Sequence, residues 1–267
     1  MHHIFVHENY IDNVNGIITI DKISDKENYN HLANVLRVNN GEKVLCSIIP
    51  FNMSFDYLCS VVSVDNSIVL KIEEKQSSKE LIVQINLYQA LCKSDKLEFI
   101  IEKAVELGVT NIIPVDTKHC VAKIDAKKEN TKIERYNKIA KSAAEQSKRN
   151  IIPKVLSYMT YNAMLDKIDS ECKTFGDKVL NILFYENAKG IKYTRDVIRS
   201  FTDKMNEKKL MNDAMINVII GPEGGFAKEE IELAKMRGFN ILSLGDRILR
   251  AETAAVTALS ILMYELQ

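Results

Sequence analysis

The chain has 267 residues, 46% of them hydrophobic and 27% charged, which excludes a wholly disordered polypeptide and leaves room for two domains. Lys and Arg total 36 and so do Asp and Glu, so no bulk positive field attracts nucleic acid and any such contact has to come from a local patch. The five cysteines (Cys46, Cys59, Cys92, Cys120, Cys172) are odd in number and form no C-x-x-C pair, which argues for buried reduced thiols, no metal and a cytoplasmic setting.

No apolar run approaches the ~18 residues of a membrane span, and "MHHIFVHENY" has neither the charged nor the apolar region of a signal peptide. Short runs of strand type come first: "HIFV", "GIITI", "EKVLCSII", "DYLCSVVSV" and "SIVLKIEE". One helical piece, "NYNHLANVLR", interrupts them, and together they predict a small β-barrel over residues 1–75. His3 and His7 lie in a strand-like run, so a surface or RNA-contacting role is expected of them rather than metal binding. The polar stretch "KQSSKE" at 75–80 reads as a linker.

From residue 76 to 267 strands alternate with helices. "LIVQINLYQA" precedes "DKLEFIIEKAVELG", a helix with apolar positions 97, 100, 101, 104 and 105, Asp95 and Glu98 as an N-terminal capping pair, and Gly108 as its stop. "NIIPV" precedes a helix opened by a Thr131 and Glu134 capping box. "KVLSYM" precedes "YNAMLDKI", "VLNILFYE" precedes "TRDVIRSF", and "MINVII" precedes "AKEEIELAKMRG". "NILSLG" precedes the last helix, "AETAAVTALSILMYEL". This alternation predicts an α/β domain with a parallel sheet covered by helices, whose ligands bind beyond the carboxyl ends of the strands.

"GPEGGF" (221–226) and "LGDRILRAETAA" (244–255) both lie at such ends. Three glycines and a proline between strand and helix let backbone approach a ligand closely, yet the spacing is neither G-x-x-x-x-G-K-[ST] nor G-x-G-x-x-G. A branched residue at Gly224 is expected to fill space reserved for that ligand.

These two segments resemble the paired cofactor motifs of the SPOUT superfamily of methyltransferases. Within it the chain is most similar to the family that methylates N3 of a uridine in bacterial 16S ribosomal RNA. "MHHIFV", "HLANVLR" (31–37), "QALCKSDKLEFIIEKAVELGVTNIIPV" and "AAEQSKRNIIP" (143–153) extend the likeness over nearly the whole chain. The resemblance implies a PUA-like amino-terminal barrel that binds RNA and a carboxy-terminal SPOUT domain tied in a trefoil knot. It also implies a homodimer using S-adenosylmethionine, with 16S ribosomal RNA or the small ribosomal subunit as partner.

On matching positions, the resemblance implies a cofactor site of Tyr185 and Glu186, then Ile220, Gly221, Pro222, Gly224 and Gly225, then Leu244, Gly245, Ile248, Leu249 and Ala254. Methylation of an imide nitrogen needs its proton removed, for which Glu223 and Glu252 are candidates. An arginine such as Arg250 or Arg149 could stabilise charge on the uracil oxygens. Plainer roles are also open: Arg247 and Arg250 could pair with carboxylates, Glu252 could favour a helix dipole, and Gln146 and Arg149 could cap a helix. His31, Arg37, Lys93 and Gln146 are candidates for RNA contact. Ala227 stands where the family has a capping Ser or Thr, and His119 and Cys120 where it has Arg and Ser. A ribose 2′-hydroxyl as target, or RNA binding without catalysis, stays open at this point.

Overall fold

The computed structural model describes residues 1–49, 55–123 and 127–267. They form two compact units, Met1–Glu80 with Ala144–Ile151, and Leu81–Ala143 with Ile152–Gln267. The boundary lies past the one expected at 75/76 because strand pairing continues through the polar stretch: Lys75, Gln76 and Ser77 sit opposite Tyr57, Asp56 and Phe55.

The first unit contains β1 (His2–His7), β2 (Ile11–Asp12), β3 (Ile17–Asp21), α1 (Lys26–Asn30), β4 (Lys43–Ile49), β5 (Phe55–Val64) and β6 (Ser67–Ser77). The helix expected as one piece is α1 followed directly by a π-helical turn, His31–Val35. Its sheet runs β1-β4-β5-β6-β3-β2, with β1 parallel to β4 and every other pair antiparallel. Successive side chains of a strand point to opposite faces. Ile4 and Val6, Ile18 and Ile20, Val44 and Cys46, Cys59 and Val61, and Ile68 and Leu70 meet in one core, which Tyr29 and Leu32 join. A sheet that folds one face onto a single core is curled, so the expected barrel takes the form of an open curled sheet with β1 and β2 at its edges.

Ala144–Ile151 is held in this unit by polar groups. Glu80 accepts from Arg149 Nε (3.1 Å) and from the backbone amide of Asn150 (2.8 Å), and Asn150 Oδ1 accepts from the amide of Lys79 (2.8 Å). His3, expected at the surface, is 5% exposed, with its Nδ1 3.2 Å from the carbonyl oxygen of Glu145 and its Nε2 2.8 Å from Ser47 Oγ.

The second unit is β7 (Gln84–Ala90), α2 (Ser94–Glu106), β8 (Asn111–Asp116), α3 (Glu129–Ser147, whose last turn belongs to the first unit), β9 (Lys154–Val155), β10 (Met159–Thr160) and α4 (Tyr161–Phe175), then β11 (Val179–Lys189), α5 (Ile191–Glu207), β12 (Met215–Ile220), α6 (Lys228–Met236), β13 (Asn240–Leu242) and α7 (Ala251–Leu266). The sheet order is β10-β8-β7-β12-β11-β13, with β9 beside β8 and all pairs parallel. The single strand expected in "KVLSYM" is split, because β8 carries Pro114, which has no amide to donate. Leu97, Ile100, Ile101, Ala104 and Val105 are buried on α2 as their spacing predicts. Two helix starts differ from expectation. α2 begins after Lys93 with no side-chain cap, and α3 begins at Glu129, leaving Thr131 inside the helix.

Candidate active site

At the carboxyl ends of β11, β12 and β13 lies a cleft of about 350 Å³, within the usual size of small-molecule sites. Three stretches of chain build it. The first is the end of β11, where pairing with β13 jumps from Phe184 to Lys189. The residues between leave the ladder, and Tyr185 and Glu186 line the cleft. The second is Ile220 to Phe226, and the third Ser243 to Ala251 with Ala254. Every residue named above for a cofactor lies in this lining, as do Glu223 and Arg250.

The glycine loop is shaped by two different constraints. Gly225 has φ +69°, a left-handed conformation that glycine adopts without cost, and the Glu186 carboxylate stands 3.5 Å from where its Cβ would be. Gly224 is needed for a close approach of a different kind. A Cβ there would lie 3.0 Å from His119 Cβ and 3.3 Å from the His119 carbonyl oxygen, so the space it leaves is taken by this chain and not reserved for a ligand. His119 Nδ1 also lies 3.2 Å from the Gly225 carbonyl oxygen, which ties the 117–120 turn to the loop.

The helix after the loop lacks a side-chain cap at Ala227, as the sequence implies, but its start is fixed otherwise. Glu230 turns back to accept from the Ala227 amide (2.9 Å) and also from the Lys118 amide (2.9 Å). That is the reciprocal half of a capping box, supplied without the hydroxyl.

On the third stretch, Ser243 Oγ accepts from the Gly245 amide (3.1 Å), and the Ser243 carbonyl accepts from Thr194 Oγ1 (2.7 Å). Leu249 is half-buried, whereas Ile248 is 88% exposed at the rim. Arg250 is exposed at the N-cap of α7 and makes no capping bond.

Glu252 does not line the cleft and faces Lys96 of α2 instead. Lys96 Nζ lies 3.1 Å from Glu223 Oε1 and 3.5 Å from Glu252 Oε2. Burial works against the charge on Glu223, but its own backbone amide and Lys96 outweigh that and hold the carboxyl below its usual range. Sequence reasoning passed over Lys96. Its one visible signal is a cation in the first turn of a helix that follows a sheet strand.

The remaining candidates lie elsewhere. Arg149 is 6% exposed in the first unit, where Glu80 engages its guanidinium. His31 and Arg37 are also in that unit, on the π-helical turn and just past it, and Gln146 is exposed on the last turn of α3. Lys93 is exposed at the N-cap of α2.

Residues 79–263 match the family described as RNA methyltransferase domain, and residues 23–73 match RNA methyltransferase PUA domain. The chain is 34% identical over 241 residues to the ribosomal RNA small subunit methyltransferase E of Bacillus subtilis (strain 168), covering 90% of this chain and 88% of that one. It is also similar to the crystal structure of a ribosomal RNA small subunit methyltransferase E from Neisseria gonorrhoeae bound to S-adenosyl methionine. There the TM-score is 0.78 at 25% identity, covering 99% of this chain and 97% of that one. A putative methyltransferase from Legionella pneumophila, in complex with the bound cofactor, gives a TM-score of 0.73 at 29% identity over 98% and 96%. With the glycine-lined cleft at the strand ends and family matches over both units, the chain belongs to the RNA methyltransferase family that carries a PUA domain.

Proposed function

We propose that the protein transfers a methyl group from S-adenosylmethionine to N3 of a uridine in 16S ribosomal RNA, acting as a homodimer. The observation that carries this reading is the cleft, in which two glycine-bearing loops and a strand end converge. Its donor set fits the cofactor. Ile220, Leu244, Leu249 and Phe184 offer apolar wall for a planar base, the backbone at Gly245, with nothing within 4 Å of a Cβ position, is open to close approach, and the carboxylates of Glu186 and Glu223 suit hydroxyls and positive charge. When bound, S-adenosylmethionine supplies an electrophilic methyl group.

The chain's own residues supply the rest. Glu223, on the cleft wall beside Lys96, accepts the imide proton, with Glu252 behind it. Arg250 stabilises charge developing on the uracil oxygens. Arg149 is left out of this assignment, because its charge is engaged by Glu80. The base has to be unstacked to be reached, so RNA shape matters more than groove reading, and His31, Arg37, Lys93 and Gln146 are assigned to RNA contact. The dimer is supported by α7, on which Val256, Ile261 and Met263 are only half-buried and Tyr264 is 78% exposed. An apolar helix of that kind calls for a cover. The strand order β12-β11-β13, with α7 then returning to β12, supports the trefoil knot.

Nucleoside mass spectrometry of 16S ribosomal RNA from a strain lacking the gene tests the reading. Loss of one N3-methyluridine, restored by the wild-type gene, is expected. Loss of a 2′-O-methylated nucleoside in its place would move the target to the ribose.

A further inference from the structure

Lys93 and Lys96 stand at the N-cap and in the first turn of α2, where the helix dipole disfavours positive charge. Helix stability therefore does not account for them. Lys96 instead holds two carboxylates that come from separate stretches, Glu223 from the glycine loop at 3.1 Å and Glu252 from the start of α7 at 3.5 Å. The two contacts are unequal. Both are ion pairs, but Glu223 lines the cleft and lies closer, whereas Glu252 Oε2 is shut off from solvent and has no hydrogen-bond partner. A buried carboxylate oxygen without a hydrogen bond is costly. This one faces the very nitrogen that Glu223 already holds.

We propose that Lys96 is a positioning residue for the proton acceptor: it holds Glu223 and Glu252 as a charged pair, and as Glu223 takes the substrate's proton, Lys96 shifts onto Glu252. The inference rests on the reaction proposed above. The proton passes from the substrate nitrogen to a carboxylate oxygen of Glu223, the electron pair of the broken N–H bond stays on nitrogen, and Lys96, leaving its ion pair with Glu223, donates to Glu252 Oε2. The three side chains pass from net −1 to neutral.

Without Lys96 the same place would hold two like charges, one of which would be protonated before any substrate arrived. Lys93 adds a second positive charge that acts on Glu223, the Cys92 thiol stands near both carboxylates and Lys96, and Arg247 and Arg250 line the same cleft as Glu223. Burial, reinforced by Glu223, pushes the Cys92 thiol up to about 12, so it stays neutral and does not compete for the proton. Its hydrogen bond to Glu223 raises the Lys96 ammonium above its ordinary value, so it stays charged.

The test is a carboxyl-carbon NMR titration of ligand-free protein labelled at glutamate, with Glu223→Gln and Glu252→Gln assigning the two resonances. In Lys96→Met one of them should move up by about one pH unit or more, and in Lys96→Arg neither should. Single-turnover methylation should follow, its acid limb moving up by the same interval in Lys96→Met and returning in Lys96→Arg. Unmoved resonances in a folded Lys96→Met protein, or a rate loss equal at every pH, would overturn the proposal. Should Lys96→Met not fold, Glu252→Gln decides. Confining Lys96 to Glu223 should lower the Glu223 midpoint and slow methylation about tenfold or more, and an unchanged midpoint would count against the idea. If no N3-methyluridine forms, the reaction reading fails, while the titration of ligand-free protein still decides the role of Lys96.

Discussion

His3 Nδ1 points at a carbonyl oxygen, which can only accept, so that nitrogen carries a proton. Its Nε2 meets Ser47 Oγ, and Ser47 Oγ in turn meets Asp56 Oδ1 in a close contact. Ser47 has one proton to give. If His3 is neutral, Ser47 donates to its Nε2 and Asp56 has to be protonated to donate to Ser47, so the whole chain is satisfied with no charge. Burial supports that state at both ends, since it lowers the His3 imidazole to about 4 and raises the Asp56 carboxyl. The signs are opposite in stability. His3, lowered in the fold, contributes stability present above 6.5 that is lost as pH falls toward 4, about 3 kcal/mol in full. Asp56, raised in the fold, contributes stability present at low pH that is lost as pH rises through its folded value. Asp56→Asn keeps a donor for Ser47 without the ionisation. Urea midpoints of that variant should exceed wild type at pH 7 and fall more steeply from pH 6.5 to 4; a less stable variant at pH 7 would mean that the charged pair is the ground state. At the glycine loop the expectation is equally local. Gly224→Ala should push the 117–120 turn away and weaken cofactor binding, and His119→Gly in the same protein should recover part of the loss, because it removes the atom 3.0 Å away. Gly245→Ala meets nothing within 4 Å, so its cost is the strain at φ +116°, about 1 to 2 kcal/mol, with no rescue from His119. Calorimetry and thermal melts of the four proteins separate the cases.

Across the parallel sheet four strands are joined by asparagines in register: Asn111 on β8, Asn86 on β7, Asn217 on β12 and Asn181 on β11. Each amide donates to the next side-chain oxygen at 2.9 Å, Asn111 to Asn86, Asn86 to Asn217 and Asn217 to Asn181. A slip of one residue would bury these amides among isoleucines and valines, so the ladder fixes the register that brings the ends of β11 and β12 together at the cleft. Asn217→Leu should therefore cost about 1 to 3 kcal/mol for each neighbour left unsatisfied, and Asn217→Ala a further loss from the cavity it opens; chemical denaturation measures both. A stable Asn217→Leu protein would show the ladder to be dispensable. The apolar spacing of α2 was legible in the sequence because helix geometry alone sets it, and the two loop segments could be brought together because loops at the carboxyl ends of parallel strands share one edge of a sheet, although β11 stands between β12 and β13. Helix starts were less legible. Asp95 and Thr131 have capping chemistry, but the chain was already helical before each of them. Lys96 and Glu80 were invisible as site and clip, because their partners lie far along the chain and no local pattern encodes them. The inward turn of His3 was hidden for the same reason: Ser47 and Glu145, distant in sequence, decide it.

On the scale of the whole molecule, chemistry is assigned to the second unit and RNA positioning to the first apart from Lys93, and two arginines separate the roles. Arg250 lines the cleft at the start of α7 and is free of any capping bond. If it stabilises charge that develops during transfer, Arg250→Ala should lower single-turnover methylation by about 10² to 10³, with cofactor affinity nearly unchanged. Arg37 follows the π-helical turn of the first unit at φ +53°, a conformation that costs a residue with a side chain roughly 1 to 2 kcal/mol. Glycine would sit there more comfortably, so the backbone does not call for an arginine in that exposed place. Arg37→Gly should leave thermal stability equal or higher by up to about 1 kcal/mol, because relief of strain outweighs the added freedom of the unfolded chain. It should nonetheless weaken RNA binding and reduce the salt slope by about one unit, with the rate at saturating RNA unchanged. Melting curves, RNA titrations at several salt concentrations and single-turnover rates on both variants give a two-by-two outcome. If Arg37→Gly loses stability and keeps its RNA affinity, the strain belongs to the fold and RNA is held elsewhere. If Arg250→Ala loses RNA affinity alone and keeps its saturated rate, Arg250 is a phosphate clamp, and the cluster of Lys96, Glu223 and Glu252 carries the chemistry without it.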